Sequence, residues 1–234
     1  VNVRTIPIDE YARMIREREP FWQANYGDGE WLCLMGREGV NVNGERYNRT
    51  LAAGLRRTLL EPTGHWCATN PGRTYLEEVE AWVEVHQPAV EWIEKETLPE
   101  ANLHGQFGPF LSALRTRHVT VVGPRHLATL PTSVLWLFQH VPIRDNTAWM
   151  KAASTATRVR AAARPGCVVL FASGMASNLV IHRLTPWARD NEITLLDVGA
   201  CLDPYVGVNS RKGYARERFQ PMLAKNLEEA GRPC

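Results

Sequence analysis

Two carboxylates one glycine apart, Asp28 and Glu30, lie in the segment Tyr26, Gly27, Asp28, Gly29, Glu30, between the apolar runs Phe21 to Ala24 and Trp31 to Met35. Hard oxygen ligands grouped at a chain turn suit a divalent cation that carries phosphates. Mg²⁺ or Mn²⁺ in such a role takes one or two protein carboxylates and completes its shell with substrate phosphates and water. Gly27 and Gly29 permit backbone angles and close approaches that a Cβ resists. The same Gly-Asp-Gly string is also a turn signature, in which the acidic side chain hydrogen-bonds its own backbone.

Other residues with chemical potential also fall at predicted strand ends. Ser173, Gly174 and Met175 leave an apolar strand just before a helix, where free N–H groups and the helix dipole favour an anion. Structural strand-to-helix turns have the same composition. Asp197 lies near the end of the last predicted strand and Asp203 in the loop after it, and either can face a ligand cleft there. His65 and Cys67 form a lone His-x-Cys, read as strand alternation and not as a ligand pair.

These residues need a frame, and the periodicity supplies one. Helical spacing covers Ile8 to Glu19, stopped by Pro20, and Phe21 to Tyr26 follows as the first strand, delivering the glycine–carboxylate segment at its C-terminal end. A helix begins with Trp31 to Gly36, its first turn carrying Glu30. Asn48 caps a helix from Arg49 to Leu60 before Pro62, and His65 to Thr69 is a short strand ending at Asn70, Pro71 and Gly72. Tyr75 to Glu96 reads as one long acidic helix, interrupted near Pro88, with Val79, Trp82, Val83, Val85, Val90 and Ile93 on its buried side. Phe107 to Arg117 is a helix and His118 to Val122 a strand stopped by Gly123 and Pro124.

Leu135 to Gln139 and Val141 to Ile143 continue the apolar core. Asp145 caps an alanine–arginine helix over Thr147 to Ala163. Cys167 to Ala172 is a strand buried on both faces. The remaining elements are a helix over Ala176 to Arg189 that contains Pro186, the strand Ile193 to Val198, and a helix over Tyr214 to Glu229. Repeated alternation of strand and helix indicates an α/β fold: a single Rossmann-like, doubly wound, mostly parallel sheet with helices on both faces and right-handed crossovers. All 234 residues are read as one domain, with a helical lead-in over 1–20 and a basic loop and helix over 207–234.

Composition bounds the function. With 44% hydrophobic and 22% charged residues the chain can bury a substantial core. No apolar run approaches the ~18 residues needed to span a bilayer, and the first residues lack a signal peptide's apolar centre, so a soluble cytoplasmic protein is expected. The five cysteines are widely spaced with no Cys-x-x-Cys pair, against a disulfide framework or a structural zinc site. The net charge of +2 conceals an asymmetry: eight glutamates and the single Lys95 lie between Glu77 and Glu100. Basic residues dominate later, at Arg144, Lys151, Arg158, Arg160 and Arg164, and again at Arg211, Lys212, Arg216 and Arg218. These are solvated helix faces, or a surface for an anionic substrate or nucleic acid.

The segments FWQANYGDGEW, HVTVVGP, CVVLFASGMASNL and ITLLDVGACLDPY together resemble the GT-D class of nucleotide-sugar glycosyltransferases, once catalogued as a domain of unknown function. The resemblance runs from about Phe21 to Tyr205. It implies a Rossmann-like domain with a deep cleft that binds a UDP-sugar and a divalent metal, Mn²⁺ or Mg²⁺, through a D-x-E motif, here Asp28 and Glu30. The family often carries an arginine two places before the motif's first glycine, where this chain has Asn25; if that arginine holds phosphate, another residue must do so here.

The implied chemistry is transfer of a hexose as the diphosphate leaves. Gly27, Gly29, Gly123, Arg125, Ser173 and Gly174 are expected at the donor or acceptor by their position at strand ends. Asp203 or Asp197 is expected as the general base for an inverting reaction, with His126 as a third candidate. The expected acceptor is a saccharide or glycan, or a hydroxymethylated base in DNA, which a duplex would have to extrude. Trp22, Trp31 and Trp66 could stack on a sugar or base, though core positions suit them better.

Two other readings compete. LLDVGACLD, Leu195 to Asp203, is reminiscent of the acidic glycine-rich loop of S-adenosylmethionine-dependent methyltransferases, but lacks its further glycines and falls at the end of the sheet sequence. A non-catalytic nucleotide- or nucleic-acid-binding module would use the basic C-terminal half, without any recognisable nucleic-acid-binding motif.

Overall fold

The structure, a computed structural model, describes residues 2–41, 44–61, 63–69, 76–143, 147–211, 214 and 216–231. The expected cap Asp145, the stops Pro62, Asn70, Pro71 and Gly72, the helix start Tyr75, and Arg144, Lys212 and Cys234 lie outside the described residues, as do the side chains of Arg216 and Arg218.

Local chemistry sets most boundaries as expected. Helix α1 (Ile8–Glu17) stops where Arg18 turns left-handed, two residues before Pro20. Strand β1 (Trp22–Tyr26) leads directly into α2 (Asp28–Leu34), whose N-cap is Gly27. Asn48 caps α3 (Arg49–Leu60) through its side-chain oxygen, which accepts the Leu51 N–H at 3.0 Å. Strand β2 (Trp66–Thr69) follows, then α4 (Leu76–His86).

Here the long acidic helix expected from the sequence is corrected. It ends at His86, Gln87 takes a left-handed φ of 44°, and after Pro88 the chain becomes strand β3 (Glu91–Glu94). Ile93 mimics helical spacing with the preceding valines, yet it and the adjacent Trp92 point to opposite faces of the sheet, and both are buried. Helix α5 (Thr97–Leu103) then precedes α6 (Gly108–Arg115) and β4 (Val119–Gly123).

The second half keeps closer to expectation. The apolar stretch after residue 135 yields an edge strand, β5 (Phe138–Pro142), and a 3₁₀ turn over Ala148–Lys151 shortens the next helix to α7 (Ala152–Ala162). Strand β6 (Val168–Phe171), α8 (Ala176–Asp190), β7 (Thr194–Asp197) and α9 (Arg216–Gly231) complete the chain.

The seven strands form one sheet in the order β3-β2-β1-β7-β6-β4-β5, and every pair is parallel. Alternate strand residues feed two apolar layers. Val168 and Leu170 pack with α1, α5, α6 and α9, whereas Val169 and Phe171 pack with α2, α3, α7 and α8. A sheet covered on both faces explains why its strands read as continuous apolar runs. Among the described residues no helix is long and apolar enough to cross a membrane.

Sheet order also positions the site. From β1 the chain winds outward through β2 to β3, then α5 and α6 carry it to the far half, from which it returns to β7 beside β1. Ligands of open α/β sheets bind outside the carboxyl ends of the strands where the winding changes direction.

Candidate functional site

A cleft of about 780 Å³ opens there, within the usual range for ligand sites. Of the residues singled out in the sequence, Gly27, Asp28, Gly29, Glu30, Ser173, Gly174, Asp197 and Asp203 line it. Gly123 and Arg125 are not among the lining residues. A Cβ on Gly123 would stand 2.9 Å from Leu127 Cδ1 and 3.2 Å from Ala172, so this glycine serves close packing, and Arg125 is exposed at the start of a 3₁₀ turn.

The β1 end of the cleft is the α2 turn. Glu30 Oε2 accepts the Gly27 N–H at 2.9 Å, closing the turn, while Asp28 is exposed at the first helical position. Among the described residues no group of three or more His, Cys, Asp or Glu side chains could hold a metal by itself. An open carboxylate plus the remaining oxygen of Glu30 is the donor set of a Mg²⁺ or Mn²⁺ site that substrate phosphates complete, and the residues fit that kind of site. Asn25 is committed elsewhere: its side-chain nitrogen donates to the Asp197 carbonyl at 3.0 Å, and its carbonyl accepts from Asn178 at 2.7 Å.

At the β7 end, Asp197 is 4% exposed, and its Oδ1 accepts the Gly199 N–H at 2.9 Å. Burial pushes its pKa up to about 7; the Gly199 bond opposes this, Glu30 adds to it and Lys95 opposes it. Asp203 is differently engaged. Its Oδ1 lies 2.8 Å from His126 Nε2, and its Oδ2 accepts the Ser210 hydroxyl, so both oxygens serve to pin the loop that follows β7.

The β6 exit differs from its sequence reading. The Met175 N–H, at the N-terminus of α8, already donates to Glu45 Oε2 at 3.1 Å. Ser173 is likewise turned inward, its hydroxyl 2.8 Å from that of Ser177. Glu45 is 3% exposed, also accepts from Asn41 Nδ2 at 2.6 Å, and has its pKa raised by burial, which those two donors oppose, and further by Glu30. The anion held at this helix start is therefore the protein's own.

Glu45 and Lys95, both lining the cleft, escaped sequence reasoning. Glu45 sits in a polar turn-rich stretch and Lys95 is the odd cation in an acidic one, so the charge anomaly of Lys95 was the only available signal. Trp22, Trp31 and Trp66 do not line the cleft. Trp31 packs against Tyr26, Trp82 and Trp92, Trp66 stacks on Phe21, and Trp22 donates to the Ile193 carbonyl at 2.9 Å. Cys33, Cys67, Cys167 and Cys201 are buried free thiols.

No protein-family model matches the sequence, and no curated protein does. Solved structures do match. A selenomethionine-substituted structure of domain of unknown function 1792 superposes with a TM-score of 0.62 at 12% identity, covering 94% of this chain and 90% of that one. A second structure, described as domain of unknown function 1792 with a distinct glycosyltransferase fold, matches with the same TM-score, identity and coverage. The chain thus has the fold of domain of unknown function 1792, an α/β glycosyltransferase fold.

Proposed function

We propose that the protein is a metal-dependent glycosyltransferase that moves a hexose from a UDP-sugar to an acceptor hydroxyl. The observation that carries this reading is the convergence of Asp28, Glu30 and Asp197 on one cleft at the β1–β7 junction of a glycosyltransferase fold.

Asp28 and Glu30 would hold Mn²⁺ or Mg²⁺, which supplies Lewis-acid neutralisation of the departing diphosphate. The chain's own residues do the rest. The sugar's bond to the diphosphate oxygen breaks, the acceptor oxygen bonds to the anomeric carbon, and the acceptor proton passes to the Asp197 carboxylate. A carboxyl group with a pKa near working pH suits that task. Asp203 acts as a positioning residue through His126 and Ser210.

Among the described lining side chains, Asp28, Glu30, Glu45, Glu96, Glu100, Asp197 and Asp203 face Lys95 and Arg211 as the cations. This balance favours a neutral saccharide or glycan over a hydroxylated base in DNA, a polyanion that needs cations along its path. The methyltransferase reading has less support because the Asp-Val-Gly loop follows β7, the last strand, and not the first.

The test is incubation with a panel of UDP-sugars, Mn²⁺ and acceptors, either saccharides or hydroxymethylated DNA, with transferred sugar detected by mass. Transfer to a saccharide is the expected result; no transfer and no UDP release with any donor would end this reading.

A further inference from the structure

The cleft must hold a strongly anionic leaving group although most of its charged lining side chains are carboxylates. At the α8 N-terminus, Glu45 already takes the Met175 N–H. The Ser173 hydroxyl is already in contact with that of Ser177, at 2.8 Å. Of the two cations among the described lining residues, Arg211 sits on the loop before α9, whereas Lys95 emerges directly from the end of β3.

Lys95 is held in place by the sheet. Its backbone N–H donates to the Thr69 carbonyl at 3.0 Å, which extends the β2–β3 pairing by one residue. Its ammonium then reaches across to the turn after β1: a Cβ built on Gly27 would lie 2.3 Å from Lys95 Nζ, 3.5 Å from Lys95 Cε and 3.3 Å from Glu30 Oε2. Gly27 has an ordinary extended φ of −90°, so its lack of a side chain is not required by its backbone angle. What it provides is room for the ammonium beside the carboxylate turn.

We infer that Lys95 is the phosphate-anchoring residue of the site, binding the diphosphate of a nucleoside diphosphate where Gly27 leaves space for its ammonium beside Asp28 and Glu30. This rests on the nucleotide-sugar reading above and assigns within it the cation that meets the leaving group. A point charge on a flexible stem can follow the diphosphate as negative charge builds on it.

The experiment is calorimetric titration of UDP, with uridine as the phosphate-free control, in the presence of Mn²⁺. Lys95→Met should weaken UDP binding about 10- to 100-fold, the range for losing a charge-assisted hydrogen bond, and leave uridine binding unchanged. Lys95→Arg should restore UDP affinity to within a few-fold of wild type. Gly27→Ala provides a second route, since its methyl group would displace the flexible tip of Lys95 while pressing more lightly on Glu30 Oε2; UDP affinity should fall with the unfolding midpoint preserved. Equal UDP affinity in wild type and Lys95→Met would overturn the assignment while leaving the nucleotide reading standing. Failure of the wild type to bind UDP at all would remove both.

Discussion

Asp197→Asn should leave the protein more stable than wild type at pH 8 while slowing turnover. The folded carboxyl titrates near 7 against 3.8 for an unperturbed aspartate, chiefly because it is buried. Its contribution to stability is fully present below about 3.8 and is lost as pH rises through 7, because ionisation then favours the unfolded chain. At ~1.36 kcal/mol per pKa unit, the loss approaches about 4 kcal/mol above pH 7. Asparagine keeps an acceptor for the Gly199 N–H but places an NH₂ where the second oxygen lay, costing about 1 kcal/mol or more. The net gain expected at pH 8 is about 2–3 kcal/mol. Urea unfolding of both proteins in EDTA between pH 4.5 and 8.5 measures it: the gap should widen up to pH 7 and then level off. A gap independent of pH, or a less stable variant at pH 8, refutes the reasoning. In the same variant, loss of the base should reduce turnover about 10²- to 10⁴-fold.

Further perturbations probe the frame. His65 is buried with Nε2 unpartnered, and burial lowers its pKa to about 4 from 6.5. Its contribution is therefore present above 6.5 and lost as pH falls toward 4, by up to about 3 kcal/mol. His65→Phe should flatten the fall in stability over that interval, and an unchanged fall would contradict this. Asn226 of α9 accepts the Phe107 N–H at 2.8 Å and donates to Asn102 Oδ1 at 3.0 Å, in a buried network that includes Tyr205. Asn226→Ala leaves several of these groups unpaired and should cost about 3 kcal/mol in urea unfolding; a loss below about 1 kcal/mol would show the network to be dispensable.

The architecture was legible where a strand is buried on both faces or where punctuation is unambiguous. Cys167 to Ala172 announces β6 by its unbroken apolar run, and Asn48 announces α3 by its capping side chain. It was illegible where one pattern serves two structures. Val90 and Ile93 continue the spacing of α4, and only the turn at Gln87 and Pro88 and the pairing of β3 with β2 reveal a strand. Strand β5, at the sheet edge with Gln139 exposed, lacks the continuous apolar signal of the central strands.

The site divides in the same way. The glycine–carboxylate turn is local, so its residues could be found in sequence, as could Asp197 at a strand end. Lys95 and Glu45 acquire meaning only through long-range topology. The sheet order places the end of β3 within reach of the turn after β1, and a buried carboxylate from residue 45 reaches the start of α8, 130 residues away. No local pattern encodes either meeting.

Asp28 and Glu30 are the carboxylates proposed to hold a metal-bound donor diphosphate. The most direct measurement is Mn²⁺-dependent release of UDP from the donor that the wild type uses, compared across wild type, Asp28→Asn and Glu30→Gln, with folding checked by unfolding midpoint. Both substitutions should reduce release by at least about 100-fold and abolish its dependence on Mn²⁺ while the proteins stay folded. Release that persists in both variants with the same Mn²⁺ dependence would contradict it.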